Sequence, residues 1–189
     1  MSNINFNPFP VLCTKRLTLR GLKMTDDQAV LDYQSDKNNF KYVDMPIYHT
    51  IDDARKYIAK MNTGVTSNKW IIWAIADKQT DKAIGTISLW NISQDQTKAE
   101  LGYGLYPGYR GKGYMSEALQ KALEYGFKVM KLEVIESYTN VQNKKSIELL
   151  VRNKFTKVSN FTETHTYSGE PMEMFIYAIK SELHGSYNV

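Results

Sequence analysis

The organisation of the chain is decided by residues 99–130, AELGYGLYPGYRGKGYMSEALQKALEYGFKVM. The first eight of these residues are predicted to form a strand, and the turn that follows them is rich in glycine. Apolar side chains then recur at helical spacing from Met115 to Met130. Residues 132–138 return to a strand pattern. Because a strand–helix–strand unit is right-handed with parallel strands, this stretch predicts one parallel strand pair.

The elements on either side of this unit predict a mixed sheet. Two capping boxes, Thr25 with Gln28 and Thr50 with Asp53, mark the starts of two helices, and another helix begins near Asn143. The remaining predicted strands cover residues 12–22, 70–76, 83–92, 156–166 and 172–179. The strands before the parallel pair form an antiparallel meander. The predicted fold class is therefore α/β, with a mixed (α+β) sheet of six to seven mostly antiparallel strands and about four helices on its two faces.

Length and composition are those of one globular domain, because the chain has 189 residues, 42% of them hydrophobic and 23% charged. We expect a single domain over residues 1–189, with an N-terminal extension at 1–11 and a frayed tail at 184–189. The single Cys13 cannot form an internal disulfide, which fits a reducing compartment. Neither a signal peptide nor an apolar run of ~18 residues is found, so a cytoplasmic location away from membranes is expected.

The charged residues argue against two classes of partner. The net charge of +4 comes from 24 Lys and Arg against 20 Asp and Glu, and the basic residues are dispersed. Nucleic-acid-binding proteins usually concentrate basic residues in one stripe, so no nucleic acid is expected. No His, Cys or Asp group has the spacing of a metal site, so no metal is expected, and the lone His49 and His165 are interpreted as structural or exposed.

The turn between the strand and the long helix is the segment that carries chemistry. Gly111 and Gly113 allow backbone N–H groups to turn toward a ligand. The helix N-terminus adds positive charge, as do Arg110 and Lys112, and the combination suits a diphosphate. A Walker A loop is excluded because Tyr114 follows the second glycine, and a dinucleotide fingerprint is weak because no early strand–helix–strand unit precedes it. On spacing alone, a tight bend without a ligand stays an equal alternative.

The pattern Arg110-x-x-Gly113-x-Met115 resembles the Arg/Gln-x-x-Gly-x-Gly/Ala signature of the GNAT superfamily of N-acetyltransferases, at the same place in the order of elements. The similarity extends to TKRLTLR, AELGY and NKKS, at residues 14–20, 99–103 and 143–146, and covers nearly the whole chain. Together these features are similar to the branch named for ribosomal-protein N-terminal alanine acetyltransferases, whose members act on many amines. The resemblance implies the GNAT fold with a splayed parallel pair, and acetyl-CoA (coenzyme A) as cofactor.

The resemblance also implies how that cofactor is held. Backbone groups around Leu105 would pair with the pantetheine arm, and a backbone N–H there would stabilise the oxyanion. The amides of the glycine turn would bind the pyrophosphate. Asn143 would bridge the cofactor and the splayed strand, with an ordinary helix N-cap as the alternative. The predicted cofactor-binding residues are Leu105, Tyr106, Arg110, Gly111, Lys112, Gly113, Tyr114, Met115, Asn143 and Ser146.

Three positions depart from the family pattern. Met115 replaces the small last residue of the signature. Leu150 stands where many members carry a tyrosine that protonates the departing thiolate. Lys154 replaces the usual glycine at the end of the last helix, so Asn153 is expected to adopt the left-handed conformation instead. The missing tyrosine leaves open a second function, a non-catalytic acyl-CoA-binding or regulatory module on the same fold.

The implied reaction is direct attack of a neutral amine on the thioester in a ternary complex, which requires a proton acceptor and a proton donor. Glu100 is the first candidate base and Glu136 the second, with a solvated carboxylate at a strand end as the alternative for each. Tyr138 and Ser146 are the candidate acids, and helix capping is the alternative for Ser146. The expected function is acetylation of a primary amine on a small molecule or on a protein or peptide N-terminus.

The acceptor is expected between residues 36–48 and the turn at 164–171. Aromatic residues that would either shape this wall or simply pack are Phe40, Tyr42, Trp90 and Tyr167. The last strand, residues 172–179, is expected to be an exposed edge through which two copies could pair as a homodimer.

Overall fold

The structure is a computed structural model that describes residues 4–164, 166 and 169–181. Its strands are β1 Leu12–Cys13, β2 Leu17–Arg20, β3 Ile71–Asp77, β4 Ala83–Trp90, β5 Lys98–Leu105, β6 Val134–Asn140, β7 Thr156–Thr164 and β8 Pro171–Lys180. Its α-helices are α1 Asp27–Gln34, α2 Ile51–Thr66, α3 Tyr114–Lys128 and α4 Lys144–Arg152. In these described ranges, no helix combines the length and the apolarity needed to cross a bilayer. The predicted tail at 184–189 lies outside the described residues.

The strands form one sheet in the order β1-β2-β3-β4-β5-β6-β8-β7. Its described neighbours pair antiparallel except β5 and β6, so the predicted mixed sheet with one parallel pair is confirmed. Pairing of β5 with β6 stops at Glu100 and Glu136, although both strands continue. At the next position the Ser137 hydroxyl donates to the Leu101 carbonyl at 3.3 Å. Beyond this contact the two strands splay apart.

The two faces of β3 show where the core lies. The Trp73 ring packs edge-on against Tyr125 of α3, with 5.4 Å between ring centroids. The neighbouring Ile72 faces the other side, toward Val30 of α1 and Tyr57 of α2. Since β3 is buried on both faces, its continuous apolar run is explained. The predicted placement of helices on both faces of the sheet is confirmed.

The single strand predicted at residues 12–22 is wrong. Thr14 closes a turn there, because its N–H donates to the Leu17 carbonyl at 2.9 Å and its hydroxyl accepts from the Leu17 N–H at 2.8 Å. The turn separates β1 from β2, which pair antiparallel. The additional short strand brings the described sheet to eight strands, where six to seven were predicted.

The predicted capping box of Thr25 with Gln28 is also wrong. Thr25 lies in a 3₁₀ turn before α1, and the capping carboxylate belongs to Asp26, which accepts from the Lys23 N–H at 2.8 Å. Arg20 of β2 holds the same carboxylate with two hydrogen bonds of 2.8 and 2.9 Å in a buried ion pair. The Asp26 carboxylate therefore caps the 3₁₀ turn and connects it to β2. The other predicted box, at the start of α2, is confirmed.

The prediction that the last strand is an exposed edge is wrong. β8 lies between β6 and β7 and pairs with both of them. The edge of the sheet is β7, whose side chains are mostly exposed. In the hairpin of β7 and β8, the first strand, β7, is the outer one and the second strand, β8, is the inner one. The spacing of apolar residues along the sequence does not reveal this order. The predicted route to a homodimer through residues 172–179 therefore loses its premise.

The left-handed residue that ends α4 is Lys154, with φ of 67°, whereas Asn153 has φ of −95°. The left-handed conformation costs a residue with a side chain about 1 kcal/mol of conformational free energy, whereas glycine adopts it without this cost. We therefore expect Lys154→Gly to raise the free energy of unfolding by about 1 kcal/mol, measured by urea denaturation. Lys145→Gly, within the same helix, should lower that free energy by a similar amount. Equal losses in both variants would contradict the assignment.

Candidate active site

The glycine turn presents a row of backbone N–H groups without acceptors. Gly111 and Gly113 are both left-handed, with φ of 77° and 78°. Among the described residues, no acceptor lies in hydrogen-bonding position for the amides of residues 111–116, and Glu117 makes the first helical bond, to the Gly113 carbonyl at 3.2 Å. A side chain at Gly111 would meet no atom within 4 Å, so this face of the turn is open. Such a row of amides at a helix N-terminus is an anion site.

Arg16 of the β1–β2 turn holds the glycine turn in place. Its guanidinium donates to the Lys112 carbonyl at 2.9 Å and to the Glu117 carboxylate at 2.7 Å. It also lies over the Tyr114 ring, 4.4 Å from the centroid. Arg16 was not among the predicted site residues, because its partners lie about a hundred residues away along the chain. Local spacing carries no signal for such a contact.

The basic side chains predicted to add charge to the turn are bound elsewhere. Arg110 donates through Nε to the Leu105 carbonyl at 2.8 Å and through Nη2 to the Asn39 side-chain oxygen at 2.9 Å. The Lys112 ammonium donates to the Gly108 carbonyl at 2.9 Å. In this structure the backbone amides, rather than the two cations, therefore form the open anion site.

Ser116, in the first turn of α3, was not among the predicted residues. Its hydroxyl oxygen is buried and has no hydrogen-bond partner in the described part of the chain. A buried hydroxyl without a partner is uncommon and calls for a ligand. Since it stands beside the free amides, it is suited to donate to a phosphate oxygen. The turn therefore fits a pyrophosphate both by its amides and by this orphaned hydroxyl.

A cleft of about 590 Å³ passes through the sheet where β5 and β6 splay apart. On the side of α1 and α2, its floor is formed by Thr86, Ser88, Trp90, Glu100, Gly102 and Gly104. The residues that β5, β6 and α4 contribute from the opposite side include Tyr103, Ser137, Thr139, Asn143 and Ser146. The cleft thus connects the helix-covered acceptor face with the N-terminus of α4. Two reactants can meet in it from opposite sides.

Two carboxylates stand next to each other where the splay begins. Glu100 lines the cleft, and its neighbour Glu136 accepts a hydrogen bond from the Tyr138 hydroxyl at 3.2 Å. The pKa of Glu100 is raised to about 7, chiefly by burial; a hydrogen bond from Asn91 opposes the rise, and the negative charges of Glu136 and Glu163 contribute to it. A carboxyl with this pKa is poised to exchange a proton near neutral pH.

A pair of hydroxyl groups lies on the other side of the splay. The Tyr103 and Ser146 oxygens are 2.7 Å apart. Burial raises the pKa of Tyr103 to about 12, so this phenol stays protonated at neutral pH. Tyr103 was not predicted as a site residue, because its position in the sequence indicates only an ordinary strand residue. Leu150, at the position of the family tyrosine, is fully buried in the core, whereas Tyr138 donates to Glu136.

Two predicted cofactor-binding residues lie at ends of elements beside the splay: Asn143 at the start of α4, and Leu105 at the end of β5. The Asn143 side chain accepts from the Ser146 N–H at 3.2 Å, which is the helix-capping role named as its alternative. Directly after β5, the Tyr106 N–H donates to the Ile84 carbonyl of β4 at 2.9 Å. Because backbone groups alternate along a strand, the Leu105 N–H turns away from β4 and toward the splay. It is therefore positioned to meet a ligand there.

Aromatic side chains form a wall of the cleft on the face of α1 and α2, where the acceptor is predicted to bind. The predicted Phe40, Tyr42 and Trp90 all line the cleft. Tyr33, which was not predicted, packs edge-on against Phe40 and at a tilt against Tyr106, with centroid distances of 5.1 and 4.9 Å. Tyr106, predicted as a cofactor ligand, therefore belongs to this wall. Three residues of the predicted turn at 164–171 lie outside the described residues, namely His165, Tyr167 and Ser168.

The splayed pair, the amide turn and the cleft between them are features of one class of enzyme. The chain matches the acetyltransferase (GNAT) domain family over residues 16–156, and it belongs to that family. The predicted family and the predicted enzyme class, an acetyltransferase, are confirmed.

Particular relatives agree with this assignment. The "uncharacterized N-acetyltransferase p20" of Bacillus licheniformis is 32% identical over 168 residues, which cover 89% of this chain and 94% of the relative. The crystal structure of a GNAT-family acetyltransferase from Bacillus anthracis is 28% identical, covers 90% of this chain and 98% of its own, and has a TM-score of 0.80. A ribosomal L7/L12 alpha-N-protein acetyltransferase, solved with coenzyme A, is 20% identical with a TM-score of 0.79, covering 90% of this chain and 98% of its own. The predicted fold agrees with this last structure.

Proposed function

We propose that the protein transfers the acetyl group of acetyl-CoA to a primary amine, on a small molecule or on a protein or peptide N-terminus, in a ternary complex. The observation that carries this proposal is the cleft through the splayed sheet. A carboxyl with a pKa of about 7 lines its acceptor side, and a protonated phenol lines the opposite side. Family membership supports the same reaction class.

The residues that would hold the cofactor are those of the amide turn. The N–H groups of residues 111–116 and the orphaned hydroxyl of Ser116 would bind the pyrophosphate, while Arg16 keeps the turn in shape. The Leu105 N–H would pair with the pantetheine arm or donate to the thioester oxygen. When bound, acetyl-CoA supplies the activated acetyl group.

The remaining chemistry is proton movement by this chain's own side chains. Glu100 accepts the proton that the acceptor amine must lose as its nitrogen forms the new bond to the acetyl carbon. The carbon–sulfur bond breaks, and Tyr103 donates its phenolic proton to the departing sulfur. Ser146, 2.7 Å from that phenol and partly exposed, would relay a proton from solvent back to Tyr103, accepting one proton from water as it gives up its own. The two proton groups lie on opposite faces of the sheet, and so they do not exchange protons with each other.

The non-catalytic alternative rested on Leu150 in place of the family tyrosine. In the structure the opposite side of the cleft holds another phenol, Tyr103, hydrogen-bonded to Ser146. The proton donor is therefore supplied from β5 rather than from α4. This contact favours turnover over simple cofactor binding.

The proposal is tested with the purified chain, acetyl-CoA and a panel of primary amines. Millimolar acetyl-CoA should raise the melting temperature, and at least one amine should release free coenzyme A thiol. Cofactor binding without thiol release from any amine would support the non-catalytic alternative. The absence of any change in melting temperature would contradict the proposed cofactor site itself.

The amide turn has its own test in Gly111. Valine strongly disfavours the left-handed conformation, at a cost of about 2 kcal/mol, so Gly111→Val should weaken acetyl-CoA binding about 30-fold by calorimetry. Gly111→Asn is the matched control, because asparagine tolerates this conformation, and it should change the affinity less than about 5-fold. Equal affinities in the two variants would place the pyrophosphate elsewhere.

A further inference from the structure

We infer that the acceptor is a primary amine with an apolar, ring-bearing body and no second positive charge, an inference that rests on the proposed function. The acceptor half of the cleft lies between the sheet and helices α1 and α2. Whatever group carries the amine must occupy this space while its nitrogen reaches Glu100. The chemistry of this wall therefore selects the acceptor.

The wall is built mainly from aromatic and aliphatic side chains. Tyr33, Phe40 and Tyr42 line it from α1 and the segment after it, and Tyr57 and Met61 line it from α2. Buried apolar surface of this kind stabilises a ligand by removing the ligand's own apolar surface from water. Ring edges and faces also give a bound ring offset or edge-on contacts that an open-chain amine does not make.

Trp90 extends this wall to the rim of the cleft. Trp90 is 43% exposed, which is unusual for a tryptophan beside a deep cleft. On β4 it is the register partner of Glu100, so the indole stands next to the carboxyl that receives the amine. A side chain at Gly102 would lie 3.4 Å from the indole Nε1, so this glycine leaves the indole room to lie across β5. A ring one or two carbons from an amine would reach both the indole and Glu100.

Charge argues against a diamine or polyamine. Glu100 is the one carboxylate among the described residues that line the cleft, while Lys60 lines it with the opposite charge. Glu136 and Glu163 act on the Glu100 pKa but do not line the cleft. A second ammonium group bound deep in this wall would lose water without gaining a carboxylate partner. Contact with ring faces at a desolvated site contributes less free energy than the desolvation of an unpaired ammonium group costs.

The inference is tested by comparing 2-phenylethylamine and tryptamine with putrescine and spermidine at saturating acetyl-CoA. We expect kcat/KM for thiol release to be at least about 10-fold higher for the ring-bearing amines. Peptides beginning with phenylalanine and with lysine test the same chemistry on a peptide N-terminus. A preference for putrescine or spermidine would overturn the inference and leave the proposed function standing.

Two variants connect the preference to the wall. Trp90→Ala should raise KM for tryptamine about 10-fold without changing KM for acetyl-CoA, whereas Val129→Ala, at an exposed valine after α3, should change neither. Lys60→Glu adds a second carboxylate on an exposed side chain and should lower KM for putrescine but not for 2-phenylethylamine. Unchanged selectivity in both cleft variants would contradict the inference.

Failure of the proposed function and failure of the inferred acceptor preference give different experimental results. If no amine of either class is acetylated, the proposed function fails. The inference is then judged by calorimetric binding of the same amines to the chain saturated with coenzyme A. Tighter binding of tryptamine than of putrescine supports it, and the reverse order, or binding of neither amine, overturns it.

Discussion

Glu100→Gln is expected to lower kcat/KM for amine acetylation by about 10³-fold, within the range of a general base. The wild-type kcat/KM should rise with pH through about 7, because the pKa of Glu100 is raised to about 7, chiefly by burial, and only the ionised carboxylate accepts the proton. The glutamine side chain does not titrate, so this rise should disappear in the variant. The measurement is a pH profile of thiol release at saturating acetyl-CoA, with affinity for acetyl-CoA checked separately and expected to be unchanged.

Glu136→Gln is the matched control, since Glu136 lies beside Glu100 on β6 and was the second candidate base. Replacement of the Glu136 carboxylate should reduce kcat/KM only a few-fold. It should also move the rise in the pH profile to lower pH, because a neighbouring negative charge that raises the Glu100 pKa is removed. A larger loss of activity in Glu136→Gln than in Glu100→Gln would reverse the two assignments.

The parts of the site that sequence reasoning predicted are those built from local chain geometry. The turn at Gly111 and Gly113 requires left-handed residues directly before a regular helix, and both requirements can be read from neighbouring positions. Glu100 was named as the first candidate base from its place on the central strand, and in the structure it lines the cleft. The parallel pair followed from the strand–helix–strand order, which has one favoured hand.

The parts that sequence reasoning missed depend on contacts between distant segments. Arg16 reaches Glu117 and Lys112 across the β1–β2 turn, and no spacing links these positions. The contact between Tyr103 and Ser146 needs the splay itself, which brings a β5 side chain to the start of α4. The position of β8 inside the sheet was missed for a similar reason, because strand order is set by pairing energies rather than by chain order.

The division of the cleft between two faces explains how the enzyme can keep base and acid apart. The proposed base, Glu100, projects from β5 to the face of α1 and α2, and the proposed acid, Tyr103, three positions along the same strand, projects to the opposite face. An odd separation on a strand places two side chains on opposite faces. Under this proposal one strand supplies both the proton acceptor and the proton donor, while the splay beside it leaves room for the reacting atoms.

Tyr103→Phe is expected to lower kcat about 10²-fold while leaving the affinity for acetyl-CoA unchanged. The phenol has a pKa of about 12 and so carries the proton that the departing thiolate needs, and phenylalanine keeps the packing without that proton. Ser146→Ala should cost less, and the double variant should be no slower than Tyr103→Phe, because the two hydroxyls act as one unit.

Tyr138→Phe is the control for this prediction, because its hydroxyl donates to Glu136 rather than to the pair on the opposite face, and it should reduce kcat only a few-fold. A structural role for Tyr103 would lower the melting temperature and raise the acetyl-CoA KM in parallel with the loss of kcat. Losses in Tyr103→Phe and Ser146→Ala that multiply in the double variant, or a larger loss in Tyr138→Phe, would assign the proton donor to another group.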